Sequence, residues 1–90
     1  MSSHTDRLVW DLDWNLLRTF VVIAEEKGIT RAGERLNLKQ PTVSNALRRL
    51  EMRLERKLVS RSANHFELTE AGRRLYDSSV EILGLVSRLP

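Results

Sequence analysis

The sequence predicts a mainly α fold: three short helices, a two-stranded hairpin and one long final helix. Three observations lead there. Apolar side chains recur at three- and four-residue steps in successive stretches up to Leu54, and again after Thr69. Between Arg56 and Leu68 that period fades and an alternation suited to paired strands replaces it. Pro41 heads the third stretch behind the brief connection "NLKQ". A chain of 90 residues forms one small domain, and a domain of that size buries only about 60 to 65% of its unfolded surface, which leaves no room for a large enclosed active site.

The first helix is expected over Trp14 to Lys27, where Leu16, Leu17, Phe20, Val21, Ile23 and Ala24 form a broad apolar stripe and Asn15, Arg18, Thr19, Glu25 and Glu26 fill the other face. Asp13 is its expected N-cap, because a carboxylate accepts from the free amides of a first turn, and Gly28 its left-handed closing residue. Thr30 is placed as the cap of a second helix, Arg31 to Leu36. The third is expected to start at Pro41, whose missing N–H breaks no bond at the first helical position, and to end between Leu54 and Arg56. Its buried stripe is Val43, Ala46, Leu47, Leu50 and Leu54.

Leu58, Ser60 and Ser62 then alternate with Lys57, Val59 and Arg61, which suggests a strand; "HFEL" is the second strand and "SAN" the turn. Thr69 is expected to cap a last helix running toward Leu89. A helix of ~20 residues spans ~30 Å, more than the first three helices can cover. Its apolar positions Leu75, Tyr76, Ile82, Leu83, Val86 and Leu89 are therefore assigned to a homodimer seam. The expected division is an N-terminal extension over 1–13, a compact unit over 14–68 and a linking, dimerising helix over 69–90.

The third helix also has an outward face with a gradient along it. At 100° per residue, Pro41, Asn45, Arg48 and Met52 lie opposite Val43, with Thr42 and Arg49 on one shoulder and Ser44 on the other. Small polar side chains come first and arginines follow. A helix whose N-terminal end enters the major groove of DNA needs that order, since short side chains allow approach to base edges while long cationic ones reach phosphates. Gln40 and Asn45 carry amides that donate and accept together, as pairing with adenine N6 and N7 requires. Thr42 and Ser44 suit phosphate oxygens. Helix, short connection, amphipathic helix and basic hairpin together make a winged helix-turn-helix.

Charge points the same way. Fifteen Lys and Arg against twelve Asp and Glu leave a net charge of only +3, but residues 31–74 hold eleven basic and five acidic side chains, while 1–13 hold one basic and three acidic. A local basic excess of this kind suits a polyanion. There is no cysteine, so disulfides and thiolate metal sites are excluded. No apolar run approaches the ~18 residues that span a bilayer, and "MSSHTDRLVWDLD" lacks the pattern of a signal peptide; the expectation is a cytoplasmic protein without membrane contact. His4 and His65 are isolated, and no phosphate-binding Gly-rich loop or nucleophile arrangement occurs, so neither an enzyme nor a cofactor is expected. A winged helix used only to bind another protein is the competing reading.

From Leu16 to about Leu83 the sequence resembles the LysR-type transcriptional regulators, in their N-terminal DNA-binding domain with its linker helix. The residues that carry the likeness are "LLRTF", "TRA", "QP" with Ser44 three residues after the Pro, "LE", "LVSR" and "LTEAG". The resemblance implies a dimer, or a tetramer in the full-length protein, on double-stranded DNA with an inverted-repeat-like operator, and a downstream effector-binding domain that this chain lacks. It implies contacts from Gln40, Pro41, Thr42, Ser44 and Asn45, from Thr30 and Arg31 at the second helix, and from Lys39, Arg48, Arg49, Arg61, Asn64 and His65. Departures from the family pattern bear on those contacts. Lys39 replaces a capping Ser or Thr, Asn45 a common Arg, Glu55 the usual Gly and Val59 a common Phe, and the tip "SANH" is less basic than most. A lost cap costs about 0.5 to 2 kcal/mol, and the shorter Asn45 shifts the expected base from guanine toward adenine.

Overall fold

A computed structural model describes residues 13–62 and 65–87, with the backbone alone described for Ser62, His65 and 85–87. Its elements are α1 (Trp14–Glu26), α2 (Ile29–Leu36), α3 (Gln40–Leu54), β1 (Val59–Ser62), β2 (His65–Leu68) and α4 (Glu70–Ser87). The proposed turn residues Ala63 and Asn64, the N-terminal extension through residue 12, and Leu89 lie outside the described residues.

α1 starts where expected: Asp13 Oδ1 accepts from the Asn15 N–H at 2.9 Å. Its end differs. Lys27, not Gly28, takes the left-handed conformation, with φ 57°, and the N–H groups of both Lys27 and Gly28 turn back to the Ile23 carbonyl. Gly28 is extended and serves as the N-cap of α2, which begins at Ile29 and has no side-chain cap. Thr30 is therefore inside the helix rather than capping it. Ile29 is buried, so the extra residue is held in the helix by the core it contributes to.

Asn37 ends α2 in the left-handed region, which Asn tolerates better than most residues, and the Leu38 N–H bonds the Gly33 carbonyl at 2.8 Å. This turn passes so close to α2 that a Cβ on Gly33 would lie 2.7 Å from the Leu38 carbonyl oxygen, which is why a glycine stands there. The connection to α3 is three residues, Asn37 to Lys39.

α1, α2 and α3 pack around Leu17, Phe20, Ile23, Ala32, Val43, Leu47 and Leu50. Of the expected stripes, Leu16, Leu17, Phe20, Ile23, Val43, Leu47 and Leu50 are in it, with Ala46 and Leu54 half-buried at its margin; Val21 is buried outside this cluster and Ala24 is half-buried. Thr19 is an exception: it was placed on the polar face of α1 and is buried, because that side of α1 faces α3. Leu58 and Val59 are both buried, so the anticipated alternation breaks at the strand's start. Leu58 precedes the ladder, which begins at Val59 and pairs Val59 with Leu68 and Arg61 with Phe66, antiparallel.

The segment from Leu68 to Gly72 joins the hairpin to α4, and each residue has a task. Leu68 and Ala71 pack against the core. Thr69 Oγ1 accepts from the Gly72 N–H at 3.0 Å, the reach of an N-cap to the third helical residue, and donates to the Lys57 carbonyl, while its own N–H bonds the Leu58 carbonyl at 3.0 Å. Glu70 pairs with Arg74 at 2.8 Å. Gly72 passes so close to the Leu58 carbonyl that any Cβ would overlap it.

α4 then packs on α1 and β2. Leu75 and Tyr76 lie half-buried against the chain's own core, so these two of the six seam positions are engaged within the chain. Ile82 and Val80 are exposed and Leu83 is half-buried; Val86 falls in the helix, its side chain outside the description. Among the described residues no helix is long and apolar enough to cross a membrane.

Candidate nucleic-acid interface

α3 positions the site because its inner side is fully committed. Val43 and Leu50 have no exposed surface and Leu47 very little, which holds the helix about its own axis and turns Gln40, Pro41, Thr42, Asn45, Arg48, Arg49 and Met52 to solvent. Ser44 is half-buried on its shoulder. Met52 is 70% exposed, a single surface apolar side chain that by itself indicates no partner.

The N-terminal end of α3 carries the predicted loss. Lys39 is the N-cap residue and its side chain makes no capping bond. The deficit is small because the Lys39 carbonyl takes the Thr42 and Val43 amides at 3.0 and 3.2 Å and Pro41 has no N–H to satisfy. The exposed Lys39 ammonium is left beside the positive end of the helix dipole, an arrangement that an anion stabilises.

Arg31, Lys39, Arg48, Arg49 and Arg61 are all exposed and none forms an ion pair with another described residue. Some other cations are paired: Arg35 sits 2.7 Å from Glu25 and 3.2 Å from Glu26 and Arg74 bonds Glu70, while Arg56 donates to the Glu55 carbonyl at 3.0 Å. Arg48 and Arg49 thus present two positive charges on one helix face without a carboxylate partner among the described residues, which is the charge pattern an anion would favour. Thr30 and Arg31 are exposed in the first turn of α2, and Arg61 is exposed on β1. His65 begins β2 with only its backbone described, and Asn64 lies outside the described residues.

The hairpin is held to α3 by Glu51, the acid of the motif "LE", to which the sequence alone assigns no such task. Glu51 Oε2 accepts the Leu58 N–H at 2.8 Å and the Val59 N–H at 3.4 Å, with Lys57 Nζ 3.9 Å from its other oxygen. One carboxylate thus sets the hairpin against α3. The available signal was an acid on the stripe beside the core, followed by a basic hairpin.

A second tie joins α4 to the helical unit. The Tyr76 hydroxyl donates to Glu25 Oε2 at 3.1 Å, and Glu25 also holds Arg35. Partial burial first, and then the bond and charge of Glu25, raise the Tyr76 phenol above its ordinary value. Hydrogen bonds to Glu25 and Glu26 raise Arg35 above its ordinary value.

This architecture can be compared with known proteins. The model of bacterial regulatory helix-turn-helix proteins of the lysR family matches residues 14–73. The chain belongs to the LysR family. Among its relatives, the HTH-type transcriptional regulator CysL of Bacillus subtilis is 36% identical over 72 residues, 80% of this chain and 24% of that protein. The HTH-type transcriptional regulator BudR of Klebsiella aerogenes is 38% identical over 74 residues, 82% of this chain and 52% of that one. The chain therefore spans from a quarter to about half the length of these LysR-family relatives. Among solved structures, the BenM DNA-binding domain with catB site 1 DNA superposes with TM-score 0.82 at 28% identity, covering 86% of each chain. The CbnR DNA-binding domain in its DNA complex gives 0.79 at 31%, covering 86% of this chain and 88% of that one. The LysR winged helix-turn-helix predicted from the motifs is the observed fold.

Proposed function

We propose that this chain is the DNA-reading unit of a LysR-type transcriptional regulator, with α3 in the major groove and the wing beside it on the backbone or in the minor groove. The observation that carries the reading is the outward face of α3, where Gln40, Thr42 and Asn45 precede Arg48 and Arg49, all exposed, with the arginines unpaired among the described residues. The LysR relatives named as transcriptional regulators and the solved DNA complexes of the same fold support it. In this reading Gln40 and Asn45 select bases and Thr42, Ser44, Lys39 and the arginines hold phosphates. Two copies associate through the exposed apolar positions of α4 to read two half-sites, and an effector-binding domain supplied by the remainder of the protein governs them. The protein acts in the bacterial cytoplasm, as a regulator and not as a catalyst.

Selection of bound sequences from a random duplex pool tests this. A two-fold symmetric consensus is expected, with log affinity falling linearly in log salt by about 0.9 for each phosphate neutralised. Absence of binding to any duplex at low salt would refute the proposal.

A further inference from the structure

α1 runs alongside the Thr42 and Arg49 shoulder of α3, and between the two helices lies an open cleft of about 520 Å³. Asn15 and Arg18 line one side, and Thr42, Asn45 and Arg49 the other. Among the described residues no carboxylate lines this cleft. Arg18 and Arg49 are exposed, and neither pairs with another described residue. Two cations on facing walls repel unless an anion joins them.

The placement of Arg18 follows from its helix face. Asn15, Arg18, Thr19 and Val22 fall at spacings that share one side of α1; Thr19 and Val22 are buried against the fold and orient that side toward α3. Arg18 is thereby fixed at the rim, on the same surface as Asn45. A helix with its side chains is ~10–12 Å across and the major groove is ~12 Å wide, so a helix inserted there turns its two shoulders toward the two phosphate backbones. Beyond the Ser44 and Glu51 shoulder the next element is the hairpin: Glu51, Ser60 and Arg61 line the cleft on that side. Beyond the opposite shoulder the next element is α1.

We infer that Arg18 and Arg49, assisted by Asn15 and Thr42, form a phosphodiester-binding site for the DNA strand on the side of α3 away from the wing. This rests on the DNA reading above and extends it, since the footprint then gains a third element whose contacts carry charge but no base discrimination. The helix end itself is not the anion site, because the Asp13 carboxylate already takes the Asn15 N–H. The contact belongs to the Arg18 guanidinium, which presents a planar fork of donors to phosphate oxygens.

The test compares Arg18→Gln with Arg74→Gln on one selected duplex. Each removes a single positive charge, and Arg74 lies on α4 paired with Glu70. Arg18→Gln is expected to lower the slope of log affinity against log salt by about 0.9 for each half-site, with base preference unchanged, while Arg74→Gln leaves the slope as it was and Arg18→Lys restores it. A single neutral methylphosphonate, moved along the duplex, is expected to weaken wild-type binding at one flanking position and to leave Arg18→Gln unaffected there. A wild-type slope in Arg18→Gln, or an altered base preference, would overturn the site while DNA binding itself stands. A wild-type chain that binds no duplex would overturn the DNA reading and this site with it.

Discussion

Glu51→Ala is the change that tests most directly how this fold holds its wing. The wild-type carboxylate, 13% exposed, accepts the N–H groups of Leu58 and Val59. Leu58 is 1% exposed, so its amide has no access to water once the carboxylate is gone. A hydrogen bond to a charged acceptor contributes ~1.5–3 kcal/mol, and a buried amide left without one costs ~1–3 kcal/mol; these are two views of one loss. The 3.4 Å bond to Val59 and the distant Lys57 add little. The expected destabilisation is therefore about 2 kcal/mol, which in a domain of this size lowers the thermal midpoint by roughly 8–16 °C. Amide exchange followed by NMR locates the effect: protection of Leu58 and Val59 is expected to fall more than that of Phe20 and Ile23. A loss under ~0.5 kcal/mol, or unchanged exchange at Leu58, would show that the wing is held by the hairpin's own packing and not by this carboxylate.

Four further outcomes are expected. Glu55 ends α3 at φ 54°, in a conformation that costs a non-glycine residue about 1 kcal/mol, and its charge faces the negative end of the helix dipole; Glu55→Gly should gain about 0.5–1 kcal/mol in urea denaturation, with Glu55→Ala recovering only the smaller electrostatic part. Gly72→Ala should lose about 1–3 kcal/mol in the same assay despite alanine's better helix propensity, because the new Cβ meets the Leu58 carbonyl. The raised phenol of Tyr76 contributes stability that is fully present below its ordinary pKa of 10.0 and is lost as pH rises through its folded value; the stability difference between wild type and Tyr76→Phe should shrink over that alkaline range and stay constant below it. In quantitative DNA-binding assays Asn45→Ala should lose about 1–3 kcal/mol of discrimination at one base pair, whereas Arg48→Ala should weaken all duplexes alike and flatten the salt slope.

The inner and outer faces of α3 were legible in the sequence because helical periodicity ties a residue's direction to its position alone. Val43, Leu47 and Leu50 are buried and Asn45, Arg48 and Arg49 exposed, as the wheel requires. The cap at Asp13 and the cap at Thr69 were legible for a similar reason, since a side-chain oxygen finds its acceptor role within three residues along the chain. So was the missing cap at Lys39.

What local pattern does not carry is the choice among equally good partners far apart in the chain. Glu51 was free to pair with a neighbouring arginine, and it turns to the amides of Leu58 and Val59 because β1 is packed there and those N–H groups are shut off from water. Thr19 reads as polar surface until α3 covers it. Leu75 and Tyr76 carry the same apolar spacing as Ile82 and Leu83, and only the crossing of α4 over α1 and β2 divides the helix into a part packed on its own core and a part outside it. The left-handed ends at Lys27 and Glu55 belong to the same class. A glycine would be the local preference, but the two- and four-residue connections that follow α1 and α3 join packed elements and dictate the backbone angle first, and the residue present adopts it. The sequence by itself thus determined the apolar stripe of each helix, where α1 and α4 begin and which side of α3 meets solvent; the tertiary structure decided which polar groups hold the elements together, because burial, and not composition, makes a particular hydrogen bond indispensable.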